Sequence, residues 1–256
     1  LNGVLIKDYD NDTLLYAGSV GANFKKPLIT VIQRKLFLEG VTVKNAHFHM
    51  ERGPKDEDYN IKKILQNFRQ GSTAETKQDT GSSAFNLSLD YLELEEIHFT
   101  QNDSLYGSKL DISLGDGWVG VEELKTKSQI FNLGDINLSN ASVLIEKFDG
   151  EEEFVDTSQA GKLPFVVNAN SINISGSKFK LNDTEKPHSA SKGIDFRHLD
   201  VFDIDIAASD ISFNNWVTKA NPEKLNFSTN DGFSLKQFDA DSINVSPEKT
   251  RIYKGE

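Results

Sequence analysis

The stretch 136-INLSNASVLI-145 decides the fold of this chain. Its apolar side chains occupy even positions up to Asn140 and odd positions after it. Because successive side chains of a β-strand point to opposite faces, a straight strand would place the two halves of this apolar set on different sides. A one-residue bulge or a sharp bend at Asn140 restores a common face. The stretch therefore predicts a strand that changes direction and keeps one face apolar throughout.

The same change of parity occurs in four other stretches. They are 41-VTVKNAHFHM-50, 92-LELEEIHF-99, 172-INISGSKFKL-181 and 204-IDIAASDISF-213, with the change at Asn45, Glu96, Gly176 and Ala208 respectively. Asn and Gly adopt a positive φ at low cost and suit a bulge, whereas Glu and Ala suit it less. One amphipathic strand could show this pattern alone, but five copies spaced roughly 30 to 50 residues apart favour a shared architecture of bent strands. The irregular spacing argues against a strict solenoid.

The composition is that of an ordinary folded protein with an acidic balance. The 256 residues are 37% hydrophobic and 26% charged, and the net charge is -11. This charge argues against a nucleic-acid partner and against electrostatic binding to anionic membranes. The chain has no cysteine, which excludes disulfides, thiolate nucleophiles and zinc–thiolate sites. It also has no apolar run of about 18 residues that could span a bilayer and no recognisable signal peptide.

Residues suited to catalysis or metal binding are scattered along the chain. His47 and His49 share the outer, polar face of a strand with Thr42 and Lys44, and the sequence places no further ligand near them. Exposed strand histidines are the preferred interpretation, with a metal pair as the alternative. The chain contains neither GxSxG nor HExxH, and each acidic pair fits a turn or a solvated face equally well. We expect no enzyme, no metal and no cofactor.

Three acidic residues near the start of the chain have the spacing of a calcium-binding loop. Asp8, Asp10 and Asp12 lie at alternate positions, but Thr13 and Ser19 stand where such a loop needs its glycine and its terminal glutamate. Strand-forming residues flank the segment on both sides. We therefore expect a polar hairpin turn here rather than a metal site.

One short amphipathic helix is predicted between Asn60, which can cap it, and Gly71, which can end it. The apolar residues at helical spacing are Ile61, Ile64, Leu65 and Phe68. A helix this short is marginal alone and must pack on the sheet, either as a cover for one end or as a gate on a groove. Tight turns are predicted at Gly115–Gly117 and Asn221–Lys224. The strands Ser128–Leu133 and Ile136–Ile145 are predicted to form a hairpin.

The apolar face of the bent strands must be covered in some way. Hydrophobic burial stabilises by ~25 cal/mol per Å², so an extended apolar face is not left in water without a function. A closed sandwich, a flattened β-solenoid and an open trough holding an apolar ligand would each bury it, and the pattern alone favours the sandwich. A polysaccharide-binding solenoid would need an exposed aromatic platform, for which Trp118 and Trp216 are too few and too far apart.

Four groups of segments, in a fixed order over nearly the whole chain, carry a family resemblance. They are 1-LNGVLIKDYDNDTLLYAG-18; 34-RKLFLEGVTVKNAHFHMERG-53 with 60-NIKKILQNF-68; 85-FNLSLDYLELEEIHFTQND-103; and 193-GIDFRHLDVFDIDIAASDISF-213 with 231-DGFSLKQFDADS-242. They resemble the periplasmic portion of TamB-type translocation and assembly module proteins, within the AsmA-like family. The motifs are degenerate β-repeats rather than a catalytic signature, so their order carries the resemblance.

The resemblance implies an all-β, elongated, bent and mostly antiparallel sheet that forms a β-taco, a repeating groove with an apolar interior, with one short amphipathic helix. Such proteins are anchored in the inner membrane by an N-terminal helix and extend through the periplasm toward an outer-membrane barrel of the Omp85 class. Their implied role is outer-membrane biogenesis, either by carrying phospholipid or by assisting protein assembly and secretion. Residues 1–256 would be one elongated periplasmic segment of a longer protein, without the anchor and the barrel-contacting region.

The bent strands and the resemblance together predict a set of side chains that line the groove. They would face a common interior and hold acyl chains by non-directional contacts, which requires no polar recognition motif. These residues are Val41, Val43, Phe48, Leu92, Leu94, Phe99, Ile136, Leu138, Val143, Ile172, Ile174, Phe179, Ile204, Ile206 and Ile211. The alternative is a scaffold that closes this face with its own second sheet, or binds client strands at open sheet edges.

Overall fold

The chain forms an all-β structure, as the sequence predicts. The computed structural model describes residues 1–8, 10–26, 35–62, 86–125, 128–151, 165–188, 193–246 and 249–254. Strands make up 70% of the structure, with almost no helix. In chain order they are β1 (Asn2–Lys7), β2 (Thr13–Phe24), β3 (Lys35–Arg52), β4 (Asn86–Ser88), β5 (Tyr91–Asp103), β6 (Ser108–Lys125), β7 (Ile130–Ser139), β8 (Ser142–Lys147), β9 (Val166–Asp183), β10 (Asp200–Asn214), β11 (Val217–Thr229), β12 (Ser234–Leu235), β13 (Ser242–Val245) and β14 (Thr250–Tyr253).

One hydrogen-bonded path runs through most of these strands. Its order is β1-β2-β3-β5-β6-β7-β9-β10-β11-β13-β14, with β4 beside β3 and β12 beside β11. Most pairings are antiparallel, which confirms that part of the prediction. The parallel pairings join β3 to β4 and β5, and join β9 to β7 and β8.

Strands β7 and β8 are two halves of one bent strand that is interrupted at Asn140. β7 pairs with the second half of β6 and the first half of β9, and β8 pairs with the other half of each. The pairings β6–β7–β9–β8 therefore form a small closed ring of strands within the sheet. The hairpin predicted within Ser128–Ile145 is wrong, because Ile130–Ser139 is one uninterrupted strand.

A line of left-handed backbone crosses the sheet where the parity of the apolar residues changes. The φ angles are 49° at Asn45, 52° at Glu96, 54° at Asn140 and 58° at Gly176. These are four of the five positions that the sequence pattern indicates. A single residue in this conformation inserts one extra position into the alternation, so the apolar side chains on either side of it can share a face.

Glycines occupy the antiparallel strands along the same line. Gly18 lies opposite Asn45, and Gly115 lies opposite both Glu96 and Asn140. A Cβ atom at Gly18 would be 3.0 Å from the Cβ of Asn45, and a Cβ at Gly115 would be 3.0 Å from the Cβ of Asn140. The bent strands therefore approach these neighbours so closely that a larger residue would force them to move apart by a few tenths of an ångström. We call the row of Gly18, Asn45, Glu96, Gly115, Asn140 and Gly176 the crease.

The fifth predicted position, Ala208, is wrong. The positive φ angles of β10 lie instead at Asp203 (53°) and Asp210 (52°), on either side of Ala208. Alanine has no side-chain acceptor that compensates the left-handed conformation, whereas aspartate adopts it more readily. The register between β10 and β11 does shift between Ala207 and Ala208, but the extra residue, Glu223, lies in β11. Strand β10 itself keeps regular register with β9 at this point.

Two segments predicted as turns lie inside strands. Gly115–Gly117 lies at the centre of β6. Glycine is needed there because neighbouring side chains approach the backbone: a Cβ at Gly117 would meet Leu114 Cδ2 at 2.9 Å. Asn221–Lys224 lies within β11, with Pro222 opposite the register shift at Ala208. A proline lacks the N–H donor, and a ladder irregularity is the place in a strand where that donor is least needed.

The short helix is not established, since most of Asn60–Gly71 lies outside the described residues. Residues 60–62 have helical backbone, with the Lys62 N–H bonded to the Tyr59 carbonyl at 2.9 Å. The Asn60 side chain, predicted as a cap, accepts the Glu51 N–H at 3.1 Å and donates to Asp8 Oδ2 at 3.1 Å. It therefore links this segment to β3 and to the turn between β1 and β2.

That turn is the polar hairpin that the sequence predicts. Asp8 Oδ1 accepts the N–H groups of Asp10 at 3.1 Å and Asp12 at 2.9 Å, and Asn11 has a φ of 70°. The Asp8 carboxylate thus holds the turn in shape by bonding its backbone. The acidic spacing is explained by this turn.

Candidate functional site

The predicted groove residues form rows that run across the strands. Residues paired in a sheet point to the same face, so each row has a common face. The first row is Val41, Leu92, Val119, Ile136, Ile172 and Ala208. The second row is Val43, Leu94, Gly117, Leu138, Ile174 and Ile206. The third row, beyond the crease, is Phe48, Phe99, Ile112, Val143, Phe179 and Val201.

Apolar side chains from the two sides of the crease meet on one face. A Cβ at Gly117, in the second row, would lie 2.9 Å from Leu114 Cδ2 and 3.3 Å from Leu138 Cδ2. Leu114 is on the other side of Gly115 and has the parity of Ile112 in the third row. The crease therefore keeps the apolar side chains of β6 together there, and we call the three rows the apolar face.

Thirteen of the fifteen predicted residues lie in these rows. Ile204 lies beside the crease, opposite Ser177, and Ile211 lies near the end of β10, opposite Ala169. Phe48 and Phe99 stack with their ring centroids 5.7 Å apart and an interplanar angle of 21°. Such offset aromatic pairs stabilise by about 0.5–1.5 kcal/mol beyond the area that they bury.

Strand β6 contributes to the apolar face, although none of its residues was predicted to do so. Ile112 and Val119 complete the third and first rows, but the predicted turn at Gly115–Gly117 divided their strand. The signal was present: Leu110, Ile112 and Leu114 occupy even positions, whereas Val119 and Val121 occupy odd positions. This is the same parity change as in the other bent strands, centred on Gly115.

The apolar face is half-buried. All fifteen predicted residues have intermediate exposure, and none of them belongs to the buried core. Within the described ranges, no large side chain is completely buried, and most of the buried apolar residues are alanines. The described strands therefore do not supply a layer that seals this face.

The opposite face of the same strands is polar and internally bonded. Thr42 Oγ1 donates to Glu93 Oε2 at 2.9 Å, and Asn173 Nδ2 donates to Asn137 Oδ1 at 3.3 Å. Lys44 forms an ion pair with Glu95, whose hydrogen bond and charge raise the pKa of Lys44. Polar side chains from five strands line a depression of about 400 Å³ here, and Trp118 is 37% exposed beside it. The two faces of the sheet thus differ sharply in polarity.

A buried ion pair joins the last residues of β3 and β5, Arg52 and Asp103. The Asp103 side chain, 5% exposed, accepts Arg52 Nε at 2.9 Å and forms a second bond with the other end of the guanidinium. Tyr59 Oη donates to Asp103 Oδ2 at 2.8 Å, and the Arg52 guanidinium lies between the rings of Tyr59 and Tyr106. This arrangement anchors the segment after β3 onto β5.

These contacts shift the protonation of the cluster. Burial raises the pKa of Asp103, but hydrogen bonds from Arg52, Tyr59 and the Tyr106 N–H outweigh it, so the net shift is downward. The hydrogen bond to Asp103 raises the pKa of Arg52. Burial, followed by the bond to Asp103, raises the pKa of Tyr59 to about 12. The cluster is therefore a fixed ion pair near neutral pH.

The predicted histidine pair on β3 faces a third histidine. His47 stacks on His98 with ring centroids 4.8 Å apart, and His49 Nδ1 is 2.7 Å from Thr100 Oγ1. His98 Nε2 is 2.9 Å from Asp111 Oδ1. Burial, then the neighbouring His98 and His49, lowers the pKa of His47. Each of these rings thus has a protein partner on the polar face.

Comparison with known proteins gives no match: no family model, no curated protein and no solved structure is similar to this chain. Across the described residues, no helix is long and apolar enough to cross a membrane.

Proposed function

We propose that the apolar face binds the acyl chains of phospholipid, and that the chain is a segment of a TamB-type, AsmA-like bridge between the inner and outer membranes. The observation that carries this proposal is the apolar face itself, three rows of half-buried side chains that continue from β3 to β10. Its groove would be the β-taco that the resemblance implies. In this proposal the chain lies in the periplasm, and other regions supply the inner-membrane anchor and the contact with an Omp85-class barrel.

The chemistry of the apolar face suits an acyl chain. Rows of Val, Leu, Ile and Phe make non-directional hydrophobic contacts, so a flexible hydrocarbon chain can lie along them in many positions. The polar side chains of the same strands lie on the opposite face, where they bond to one another. A carrier also requires that no single contact be strong, since the ligand must move along the sheet.

A site-specific cross-linking experiment tests this proposal. A photoreactive side chain at Phe99 or Phe179 would contact lipid, whereas the same side chain at the adjacent His98 or Lys180 would lie on the polar face. We expect phospholipid adducts at the two phenylalanine positions in protein purified from a bacterial host. Equal capture at the paired control positions would contradict the proposal.

Native mass spectrometry gives an independent measure of bound lipid. We expect co-purified phospholipid in the unaltered chain and its loss in the Phe99→Asp/Phe179→Asp variant. The His98→Asp/Lys180→Asp variant adds carboxylates to the opposite face and should retain lipid. Circular dichroism of both variants tests whether they are folded like the unaltered chain. A lipid-free mass from the folded, unaltered chain would favour the scaffold function.

The alternative function is a scaffold or chaperone for outer-membrane proteins, and the sheet edges favour it. The strand order ends at β1 on one side and at β14 on the other. Leu5 is 51% exposed on β1, and Ile252 and Tyr253 are 54% and 50% exposed on β14. An edge with exposed apolar side chains can receive a client strand by β-augmentation. Cross-linking of an unfolded outer-membrane protein at Leu5 and Ile252, with none of lipid at Phe99, would support this function.

A further inference from the structure

A tight turn between β9 and β10 brings a carboxylate and an imidazole together. The Arg197 N–H donates to Asp195 Oδ1 at 3.0 Å, and the His198 N–H donates to the Asp195 carbonyl at 3.1 Å. The turn places His198 Nδ1 2.9 Å from Asp195 Oδ2. Both side chains are protected from solvent, at 4% exposure for His198 and 14% for Asp195. Their geometry is therefore set by the backbone.

A second histidine completes a group of three potential metal ligands. His188 follows β9 and places its ring 3.9 Å, centroid to centroid, from the ring of His198. One ligand atom from each of His188, Asp195 and His198 lies within 4.8 Å of the others. Among the histidine and acidic side chains that the structure describes, this is the one such group.

We propose that His188, Asp195 and His198 bind a divalent transition-metal ion, with Zn²⁺ as the best fit. Two imidazoles and one carboxylate form a donor set that zinc accepts, with water in the fourth position of a tetrahedron. Neighbouring ligand atoms in such a tetrahedron lie about 3.3 Å apart, so His188 must move inward. It is exposed, and rotation of its side chain provides this movement.

The second contact of His198 is the one that a metal ligand needs. Its Nε2 atom is 2.8 Å from the backbone carbonyl of Asp183, which can only accept a hydrogen bond. The ring therefore carries a proton on Nε2. Metal-binding histidines commonly donate this other N–H to a carbonyl or carboxylate, which fixes the tautomer and the ring plane. His198 Nδ1 then faces Asp195 and His188 as the coordinating atom when the metal replaces its proton.

A metal here would fix the connection between two strands of the sheet. His198 is already bonded to the end of β9 through Asp183, and β10 begins at Asp200, two residues after His198. An ion that also holds His188 would add a second link between the residues that follow β9 and the turn that precedes β10. This inference is independent of the proposed lipid function, because the three residues lie outside the apolar face.

Calorimetric titration of the chelator-treated full chain with zinc chloride tests the site. We expect one ion per chain, at least tenfold weaker binding in His188→Ala, and a melting temperature that rises with zinc only when the site is intact. His188 is the residue of choice because it is exposed, so its removal leaves the folded turn in place. The matched control, His47→Ala/His49→Ala, should bind zinc like the unaltered chain.

Three outcomes would overturn the proposal. The first is no saturable zinc binding by the unaltered chain. The second is equal affinity in His188→Ala, which would leave His198 and Asp195 as an ion pair beside a stacked ring. The third is loss of binding in the His47→Ala/His49→Ala control with retention in His188→Ala, which would assign the ion to the histidines of β3 and β5.

Discussion

Asn45 and Glu96 are direct neighbours on the parallel strands β3 and β5, and both have left-handed backbone, with φ angles of 49° and 52°. The pairs Lys44–Glu95 and Ala46–Ile97 on either side of them keep normal register. Asparagine is one of the residues that adopt this conformation with little strain, but glutamate is not. The crease therefore imposes a backbone conformation on Glu96 that its side chain does not favour.

Replacement of Glu96 by glycine should stabilise the protein. The left-handed conformation costs a non-glycine residue about 1 kcal/mol, and glycine removes this strain at the price of greater freedom in the unfolded chain. We expect Glu96→Gly to raise the free energy of unfolding slightly, by up to about 0.5 kcal/mol. The matched control Glu95→Gly, in ordinary strand backbone, should lower it. Urea denaturation measures both, and a larger loss in Glu96→Gly than in the control would contradict this account.

Gly115→Ala should destabilise the crease. The added methyl group would lie 3.0 Å from the Cβ of Asn140 and 3.3 Å from the Ser139 carbonyl oxygen, so β6 must move away from the bend. Overpacking of this kind costs roughly 1–3 kcal/mol. At Gly21 the same change meets its nearest atom, the Cβ of Thr42, at an ordinary 3.8 Å. Thermal denaturation should show a clear drop for Gly115→Ala and none of that size for Gly21→Ala.

Removal of Arg52 should cause a large loss of stability. Asp103 would be left as a buried carboxylate without its cation, and a broken buried pair costs about 3–5 kcal/mol. Arg52→Lys keeps the charge but not the two-point contact or the stacking between Tyr59 and Tyr106, so we expect an intermediate effect. The exposed pair of Lys44 and Glu95 provides the control, and Lys44→Ala should have little effect on the unfolding midpoint. Equal effects of Arg52→Ala and Lys44→Ala would rule out this role for the buried pair.

The stability of the protein should fall at alkaline pH through Tyr59. Its pKa is about 12 in the folded chain and near 10 when unfolded, so the folded state keeps a proton that the unfolded state releases. Stability from this group is complete below pH 10 and is lost as the pH rises toward 12. Tyr59→Phe should therefore show a smaller decline than the unaltered chain over this interval. Tyrosinate absorbance should also show that one fewer tyrosine side chain loses its proton above pH 11 in the variant.

Much of the local structure could be predicted from the residues. The period of two marks the strands, and a break in that period marks a residue that inserts an extra position. Asn45, Glu96, Asn140 and Gly176 were located in this way, because the break is visible in the residues beside it. The rule failed at Ala208, where β10 keeps regular register with β9, because the left-handed residues of this strand are Asp203 and Asp210. The same rule would have placed a bend in a continuous strand at Gly115, but Gly115–Gly117 was predicted to be a turn.

The candidate metal site and the buried ion pair could not be predicted in this way. Arg52 and Asp103 are 51 residues apart, and only the parallel register of β3 and β5 makes them neighbours. His188 and His198 are close in sequence, but their ring contact depends on the turn at Asp195. Periodicity describes which face a residue occupies and contains no information about its partner on the next strand.

The sequence by itself determined that this protein is built from bent strands with one apolar face, because alternation and its breaks are local properties of the backbone. The tertiary structure decided that the bends align in one crease and that the apolar residues join into rows. These features depend on strand order and register, which are set by pairing between residues far apart in the chain. Four bends at unrelated registers would give the same sequence pattern, and only their alignment produces a continuous apolar face.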